Sequence, residues 1–342
     1  MTLEARVQRA WSEGGLLALA LQPLAWLYGS LLALRNVLYR LGVKKTASLP
    51  VPVVVVGNWI VGGAGKTPTT LALLDLLKRE GIRAGVISRG YGRGDEQSVQ
   101  MVHRDSLATE VGDEPLLIHL RSGVPVAVGR DRVAAAEDLL SLHPELQVLI
   151  SDDGLQHLRL PRVLSVLVFD ERGIGNGRLL PAGPLRQPAS PVLPGDALVL
   201  YNATAPTTTL PGHLGHRRLS GAVSLKDWWQ GRPADVATLQ ALRGKPMLAA
   251  AGMAQPQRFF SMLREQGLKI NELPLPDHAS FATLPWPADT ADVCVTEKDA
   301  VKLRPESISA TRVWVVALDF RPDPAFEQAL LQRLKPRISN HG

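Results

Sequence analysis

The segment from Gly57 to Pro68 brings together residue types that bind phosphate, in the order Gly-Asn-Trp-Ile-Val-Gly-Gly-Ala-Gly-Lys-Thr-Pro. Glycines let successive backbone N–H groups converge on phosphate oxygens, and the N-terminus of a following helix adds a positive dipole end. A lysine and a threonine after such a loop can contact the β- and γ-phosphates and a Mg²⁺ ion. We therefore predict a nucleoside triphosphate site, with Lys66 on phosphate and Thr67 on the metal. The predicted cradle comprises Ile60, Val61, Gly62, Gly63, Ala64, Gly65, Lys66 and Thr67.

Two adjacent carboxylates, Asp152 and Asp153, end an apolar run over residues 146–151. Acidic residues at the end of a buried strand hold Mg²⁺ in many phosphoryl-transfer enzymes. Neighbouring residues of a strand point to opposite faces, so both carboxylates can serve one site only if the strand ends before Asp153. The Gly154 that follows favours such an ending, and we predict that both carboxylates contribute to a Mg²⁺ site; the alternative is a simple turn.

The elements that must position these residues alternate between strand and helix. The run over residues 51–56 is short and β-branched, which is typical of a buried parallel strand, and residues 69–78 are helical in character. Similar strand patterns recur at 83–88, 124–128, 163–169 and 197–201. The sequence therefore predicts an α/β fold with a mainly parallel sheet and helices on both faces, of the P-loop NTPase type.

Length and pattern predict more than one domain in the 342 residues. The strand and helix pattern weakens over 202–225, where we predict a linker, and strands at 246–251, 293–296 and 312–318 indicate a second, smaller α/β domain. The predicted divisions are an N-terminal segment, 1–45, a core, 46–205, and a C-terminal domain, 206–342. A final amphipathic helix over 325–334 could pack on either domain.

Composition excludes several classes of protein. The formal net charge is +6 and aromatic residues make up 5% of the chain, with no basic cluster interleaved among them, so nucleic acid is not an expected partner. The single cysteine, Cys294, excludes an internal disulfide and a cysteine metal cluster. Its apolar neighbours predict an inert core residue, as in a reducing compartment. No obligate protein partner is evident.

The N-terminal segment is apolar in a way that the rest of the chain is not. No charged residue occurs between Glu13 and Arg35, aromatic residues interrupt the leucines, and basic residues follow. Gln22 and Pro23 break the run, which favours a hydrophobic helix or helix pair lying in a membrane surface over one that spans it. The predicted partner is an anionic lipid surface. The alternative is a hydrophobic helix that covers the core domain.

Several motifs, taken in order, resemble one family, the tetraacyldisaccharide 4′-kinases of lipid A and lipopolysaccharide biosynthesis. The resemblance extends from the N-terminal helix to at least Leu303. Besides the phosphate loop, the motifs are Ser88-Arg89-Gly90-Tyr91-Gly92-Arg93, Gly112-Asp113-Glu114-Pro115, Gly129-Arg130-Asp131-Arg132, Asp152-Asp153-Gly154-Leu155-Gln156-His157, Leu180-Pro181-Ala182-Gly183-Pro184-Leu185-Arg186, Pro276-Asp277-His278 and Thr296-Glu297-Lys298-Asp299.

The resemblance implies transfer of the γ-phosphoryl group of ATP to the 4′-hydroxyl of a tetraacyl glucosamine disaccharide 1-phosphate, which forms lipid IVA. It implies an enzyme on the cytoplasmic face of the bacterial inner membrane, held there by its N-terminal helix. It also implies that Asp113 is the base, paired with His278 of the second domain, that Lys66 is catalytic, and that Glu114 joins Thr67, Asp152 and Asp153 at Mg²⁺. From the residues alone, capping of a helix ahead of Pro115 is an equal alternative for Asp113.

Four arginines lie in glycine- or proline-rich loops rather than on helical faces, which favours anion binding. The two anions implied are the nucleotide phosphates and the 1-phosphate of the lipid. The predicted substrate-binding residues are Arg89, Tyr91, Arg93, Arg130, Gln156, His157 and Arg186. Arg159 and Arg162 are interpreted as surface charges, and His213 and His216 as residues of a surface loop.

Two alternative functions come from other classes of nucleotide-binding protein. A membrane-surface ATPase switch of the partitioning type would carry a lysine before the paired glycines, and this chain has Val61 there. A GTPase would read guanine with an Asn/Thr-Lys-x-Asp motif, but in Thr296-Glu297-Lys298-Asp299 the lysine comes one position late. Both patterns favour the kinase.

Overall fold

In the computed structural model of the chain, the structure describes residues 3–308 and 310–339. The strands are β1 (Val53–Gly57), β2 (Ala84–Ser88), β3 (Gln100–Met101), β4 (Val126–Val128), β5 (Val148–Asp152), β6 (Leu164–Phe169), β7 (Ala197–Tyr201), β8 (His213–Ser224), β9 (Pro246–Gly252), β10 (Lys269–Leu275), β11 (Asp292–Thr296) and β12 (Arg312–Pro322). The helices are α1 (Leu3–Glu13), α2 (Leu16–Ala20), α3 (Gln22–Arg40), α4 (Lys66–Arg79), α5 (Ala108–Val111), α6 (Asp113–Ser122), α7 (Arg132–Leu142), α8 (Leu225–Trp229), α9 (Val236–Ala241), α10 (Pro256–Glu265), α11 (Glu297–Ala300) and α12 (Pro324–Ser339).

The chain divides into two compact units, each built from separated stretches of sequence. Unit 1 contains the residues up to Ser88, Asp131–His216 and the residues from Arg321 onward. Unit 2 contains Arg89–Arg130 and Arg217–Phe320. The predicted boundaries, after residues 45 and 205, are therefore not where the compact units divide. A sequence pattern shows where elements begin and end. It cannot show that residues 89–130 pack with residues 217–320, which follow much later in the chain.

The sheet of unit 1 confirms the predicted parallel arrangement. Strand β1 lies between β5 and β6, β5 pairs with β2, and β6 pairs with β7, all in parallel. Every residue of these five strands is buried. Strands that are buried on both faces need apolar side chains throughout, which explains why the sequence shows continuous apolar runs rather than alternation.

The N-terminal segment forms three helices rather than the single helix or helix pair that the sequence predicts. Gly14 and Gly15, with φ of 83° and 101°, end α1, and a break at Leu21 separates α2 from α3. Trp11 of α1 donates its indole N–H to the carbonyl of Pro181 at 2.9 Å, and the Tyr28 hydroxyl of α3 donates to the carbonyl of Arg186 at 2.8 Å. Among the described residues, no helix has the length and apolar character needed to cross a bilayer.

Unit 2 holds two sets of strands. Strands β3 and β4 are antiparallel, whereas β9 is parallel to both β10 and β11, and β11 is parallel to β12. Helix α10 contributes Phe260 and Leu263 to an apolar cluster that includes Ala249 and Cys294. Burial raises the pKa of the Cys294 thiol to about 12, so this cysteine is an inert part of the core, as predicted.

The linker predicted over 202–225 is wrong, because residues 213–224 form the long strand β8. His213 and His216 therefore lie on a strand and not in a loop, and His216 is 3.4 Å from the carboxylate of Asp323. Polar residues in the first half of β8 hid the strand, since its burial alternates irregularly along its length. Strand β10 was also not predicted, because it is only partly buried and its sequence shows no continuous apolar run.

Candidate functional site

The predicted phosphate loop in unit 1 connects β1, which ends at Gly57, to α4, which begins at Lys66. Gly62 and Gly65 have φ of 93° and 90°, a region that strongly favours glycine. The Lys66 ammonium is buried and lies 3.5 Å from the carbonyl of Gly62 and 3.7 Å from Asp153 Oδ1. Ile60 occupies a position where stricter phosphate loops have glycine. It is buried and forms an isolated antiparallel β-bridge with Leu185.

Three side chains, one at the start of the loop and two from outside it, bind four successive loop carbonyls. The Arg172 guanidinium donates to the carbonyls of Val61, at 3.3 Å, and Gly63, at 3.1 Å. Asn58 donates to the carbonyl of Gly62 at 3.3 Å, and buried Asn202 donates to the carbonyl of Ala64 at 3.0 Å. A loop whose carbonyls are held on one side can direct its amide N–H groups to the other, which is the requirement for a phosphate cradle.

Arg172 is itself held in place. Its Nε donates to both carboxylate oxygens of Asp170, at 2.9 and 3.1 Å, and Asp170 is buried at the end of β6. The planar guanidinium thus joins one fixed carboxylate to two loop carbonyls, a geometry that the single ammonium group of lysine cannot reproduce.

The two carboxylates lie at the end of β5, whose last residue, Asp152, is in register with Val56 of β1. Asp153 is outside the strand and has a φ of 52°, which frees it from the alternation that would separate two strand neighbours. Asp152 accepts a hydrogen bond from the Thr70 hydroxyl at 2.9 Å. Burial would raise the pKa of Asp153, but the charges of Lys66 and Arg186 outweigh it and lower that pKa below its ordinary value.

The proline-rich segment after residue 180 packs against the phosphate loop. The amide of Val61 donates to the carbonyl of Pro184 at 2.9 Å, and the amide of Arg186 donates to the carbonyl of Trp59 at 2.7 Å. The Arg186 side chain reaches Asp153 Oδ1 at 2.9 Å. Of the residues predicted to bind substrate, Arg186 therefore lies beside the acidic pair.

Gln156 and His157 follow the acidic pair in the same unit. The Gln156 amide donates to the carbonyl of Asn58 at 3.1 Å, which joins it to the start of the phosphate loop. Burial, together with the charge of Arg132, lowers the pKa of His157, so this imidazole is neutral at physiological pH. Arg162 is not the surface charge predicted, because its guanidinium donates to the carbonyls of Leu155 and His157, each at 2.8 Å, and so holds this turn.

In unit 2, Asp113 and His278 form a direct pair although they are 165 positions apart in sequence. His278 Nδ1 lies 2.9 Å from Asp113 Oδ2. Asp113 is the first residue of α6 and its Oδ1 accepts the amide N–H of Glu114, whereas the cap of the helix is Gly112. Both residues belong to unit 2, whereas the sequence-based division places Asp113 in the core and His278 in the C-terminal domain.

The charges around this pair favour its ionised form. Burial would raise the pKa of Asp113, but the hydrogen bond from His278 and the charge of Lys298 outweigh it and lower that pKa. The same hydrogen bond raises the pKa of His278 above its ordinary value, against burial. Lys298 lies 3.5 Å from the carboxylate of Glu114 and 2.9 Å from that of Asp277. Those neighbours raise the pKa of Lys298 despite burial, so it is a fixed cation.

The remaining predicted substrate residues also lie in unit 2, in different settings. The Tyr91 ring is exposed and its centroid lies 5.5 Å from that of His278. Arg89 forms an exposed ion pair with Glu96 at 3.1 Å, and Arg130 is exposed after β4. Arg93 is buried and donates to the carbonyl of Ser98 at 2.5 Å.

The donors available for a metal are hard oxygen atoms. Thr67, Asp152 and Asp153 lie in unit 1, and Glu114 lies in unit 2 as an ion-pair partner of Lys298. Within residues 3–308 and 310–339, no group of three or more His, Cys, Asp or Glu side chains could hold a metal ion. Mg²⁺ in phosphoryl-transfer sites needs fewer protein ligands, because water and phosphate oxygens complete its shell. A threonine and an aspartate beside a phosphate loop therefore fit Mg²⁺.

Sequence reasoning missed Asp170, Arg172 and Asn202, which hold the loop from the ends of β6 and β7. The contacts of Arg172 and Asn202 with the loop span more than 100 positions, and Asp170 acts through Arg172, so no local spacing connects these residues to the loop. The one available signal was their placement directly after predicted parallel strands, since the carboxyl ends of such strands line one edge of a sheet.

We expect Arg172→Met to weaken ATP binding by roughly 10-fold, because two loop carbonyls lose charged donors and the loop loses its fixed shape. Equilibrium binding of ATP, measured by calorimetry on the folded protein, checks this. Arg172→Lys should not restore the affinity, since one ammonium group cannot span both carbonyls.

The matched control is Arg79→Met, which removes an exposed arginine of α4 that pairs with Asp75 and Glu327. It should leave the affinity for ATP within about twofold, because exposed ion pairs contribute little. Equal weakening by both substitutions would mean that the Arg172 contacts do not shape the loop.

Comparisons with known proteins agree over almost the whole chain. A family model for tetraacyldisaccharide-1-P 4'-kinase matches residues 17–335. The chain is 58% identical over 339 residues to a tetraacyldisaccharide 4'-kinase of Methylibium petroleiphilum, covering 98% of this chain and 94% of the relative. It is 53% identical to a protein of the same name from Leptothrix cholodnii, covering 98% of this chain and 97% of the relative.

A solved structure is similar as well. The crystal structure of the apo form of LpxK from Aquifex aeolicus in complex with ATP has a TM-score of 0.75 and 26% identity, covering 93% of this chain and 100% of that one. The family model, the two relatives and this structure agree with the resemblance that the sequence motifs indicate. The chain therefore belongs to the tetraacyldisaccharide-1-P 4'-kinase family.

Proposed function

We propose that this protein transfers the γ-phosphoryl group of ATP to the 4′-hydroxyl of a tetraacyl glucosamine disaccharide 1-phosphate, forming lipid IVA. Membership of the family supports the substrate, and the name of the Aquifex aeolicus structure supports ATP. The observation that carries the proposal is the Asp113–His278 pair, at 2.9 Å. A kinase acting on an alcohol needs such a base, whereas an ATPase switch of the partitioning type does not.

In the proposed reaction, the 4′-oxygen of the lipid forms a bond to the γ-phosphorus as the bond from that phosphorus to the β-bridging oxygen breaks. ADP leaves with the bridging oxygen, and the hydroxyl proton passes to the Asp113–His278 pair. Asp113 is ionised and able to accept a proton, and His278 fixes its orientation through Nδ1. Lys66 stabilises charge on the phosphoryl group as the transition state forms.

Mg²⁺, when bound, neutralises charge on the phosphate oxygens. We propose that Thr67 and Asp152 hold it and that Asp153, fixed by Lys66 and Arg186, orients it, with Glu114 as a further ligand carried over from the family resemblance. The remaining substrate contacts are proposed for Arg89, Tyr91, Arg93, Arg130, Gln156, His157 and Arg186. Tyr91 is supported by its place beside His278, and Arg186 by its place beside Asp153.

The proposed activity predicts that the purified protein transfers label from γ-labelled ATP to a detergent-dispersed lipid A precursor. Lys66→Met should reduce this transfer by at least about 100-fold, because charge stabilisation is lost mainly in the transition state. Chelation of Mg²⁺ should abolish transfer, and Asp152→Asn should raise the Mg²⁺ concentration needed for half of the maximal rate. Hydrolysis of ATP with no labelled lipid would instead favour the partitioning-type ATPase.

The paired base predicts non-additive losses. Asp113→Ala and His278→Ala should each lower kcat by about 100-fold or more, and the double variant should lose little beyond the worse single variant. ATP affinity should persist in all three, because neither residue lies in the phosphate loop. His103→Ala, at an exposed histidine of the same unit, is the control and should keep full kcat. Losses that multiply would mean two independent roles.

We propose that the N-terminal helices bind the cytoplasmic face of the inner membrane. Buried Ala18, Ala25 and Leu32 face the protein, whereas α2 and α3 leave a row of large apolar side chains exposed. The exposed residues include Leu16, Leu19, Leu24, Trp26, Leu27, Leu31 and Leu34. Arg35, Arg40, Lys44 and Lys45 follow them in sequence, and basic residues beside an apolar face attract anionic lipid headgroups.

We expect Leu31→Gln to weaken binding to phosphatidylglycerol vesicles by roughly 10-fold, because a leucine side chain no longer enters the lipid. Leu142→Gln in α7 is the matched control, since Leu31 and Leu142 are 59% and 62% exposed. Vesicle co-sedimentation measures both. If the two variants sediment alike, the membrane contact lies elsewhere on the protein.

A further inference from the structure

The motif Thr296-Glu297-Lys298-Asp299 does not match the guanine-binding motif of GTPases, and the proposed reaction assigns it no role. The structure shows it as the end of β11 and the short helix α11, all within unit 2. Each of its three charged residues is at most about one-fifth exposed and makes directed contacts. Those contacts lead to the two members of the catalytic pair.

His278 has a backbone conformation that needs support from its surroundings. Its φ is 58°. Across residues 3–308 and 310–339, only two non-glycine residues, His278 and Asp153, have a positive φ. A β-carbon makes this region unfavourable, so the conformation persists only where neighbouring contacts determine it. The amide of Ala279 donates to the carbonyl of Pro276 at 3.0 Å, which closes the turn around His278.

Two lysines bind this turn on either side of His278. Lys298 donates to the side chain of Asp277, the residue before the histidine, at 2.9 Å. Lys302 donates to the carbonyl of Ala279, the residue after it, at 3.1 Å. The same Asp277 carboxylate accepts the amide N–H of His278 at 3.1 Å, so the contact of Lys298 is relayed directly to the backbone of the histidine.

The lysine that binds the Ala279 carbonyl is anchored by a fully buried carboxylate. Asp299 contacts the Lys302 ammonium at 3.0 Å and accepts the amide of Gly252 at 3.0 Å and the Thr296 hydroxyl at 2.7 Å. A β-carbon at Gly252 would meet Asp299 at 2.7 Å and the carbonyl of Pro276 at 3.2 Å. The turn, β9 and α11 are thus packed closely at this point.

The other member of the pair is linked to the same short helix. Glu297, which is buried, binds the guanidinium of Arg121 near the end of α6 and accepts the indole N–H of Trp228 at 3.1 Å. Asp113 is the first residue of α6. Helix α11 therefore holds α6 through Glu297 and the His278 turn through Lys298 and Asp299.

We propose that residues 296–302 form a platform that sets the geometry of the Asp113–His278 pair, and that Lys302 is a positioning residue acting through His278. This inference rests on the proposed function, because it gives Lys302 an effect on catalysis only if His278 contributes to phosphoryl transfer. The ammonium of Lys302 binds the Ala279 carbonyl and Asp299, and its charge also helps to lower the pKa of Asp113. As a positioning residue it would act by fixing the Ala279 carbonyl and hence the direction of the imidazole, whereas a purely electrostatic effect on Asp113 would persist without His278.

The test is Lys302→Met in two backgrounds, the wild-type protein and His278→Ala. In the wild-type background we expect kcat for lipid phosphorylation to fall by about 10- to 100-fold, as misplacement by about 1 Å can cause, with little change in KM for ATP. In the His278→Ala background the same substitution should change kcat by less than about twofold, because the group that it positions is absent.

Three further variants sharpen the result. Lys302→Arg should recover part of the lost kcat, since arginine can still donate to the Ala279 carbonyl and Asp299. Lys269→Met, at an exposed lysine of β10 in the same unit, should leave kcat unchanged. Should Lys302→Met fail to fold, Asp277→Asn tests the turn from its other side, where the carboxylate is one-third exposed.

The outcomes separate the inference from the proposed function. Equal losses in both backgrounds, or no loss in the wild type, would overturn the platform while leaving the catalytic role of His278 intact. Full activity of His278→Ala alone would overturn the role of His278 and the platform with it. A loss confined to the background that has His278 supports the platform.

Discussion

The phosphate loop depends on one constraint: the backbone carbonyls that face away from the phosphate must find hydrogen-bond donors within the protein. A loop that offers N–H groups to phosphate leaves its carbonyls on the opposite side, and buried carbonyls without partners are costly. Here the carbonyls of residues 61–64 are bound by Asn58, Arg172 and Asn202. Those donors lie near the carboxyl ends of β1, β6 and β7, so the parallel sheet is what brings them to the loop.

The same constraint explains why β1 lies in the middle of its sheet. A loop that follows a central strand has neighbouring strand ends on both sides, β5 on one and β6 on the other. From β5 come Asp152 and Asp153, and after β6 come Asp170 and Arg172. The side supplied by β5 carries the oxygen donors suited to Mg²⁺, while the residues after β6 and β7 carry the donors that fix the loop. An edge strand would offer neighbours on one side alone.

Much of unit 1 was predictable from sequence, because buried parallel strands have continuous apolar runs that end at glycines and acidic residues. The phosphate loop and the ending of β5 before Asp153 followed from local spacing. Strands β8 and β10 were missed because their partly buried faces leave mixed patterns. The pairing of Asp113 with His278 came from family resemblance, and its location within a single unit could not be predicted, since local patterns carry no information about contacts 165 positions apart.

The phosphate loop of unit 1 and the His278 turn of unit 2 are each held in place by polar donors, and the donors differ in chemistry. Around the phosphate loop the carbonyls are bound mainly by a guanidinium and two amides, whose planar groups fix direction as well as distance, and the Lys66 ammonium makes one longer contact of 3.5 Å to the Gly62 carbonyl. Around His278 the donors are lysine ammonium groups, which act on a carboxylate and one carbonyl from separate points. Lysine suits this place because two ammonium groups can bracket a single residue without contacting its ring. The imidazole contacts Asp113 through Nδ1, lies 3.9 Å from Asp277 Oδ1 through Nε2 and has the Tyr91 ring beside it, so the turn can be rigid while the ring remains one-third exposed for proton transfer.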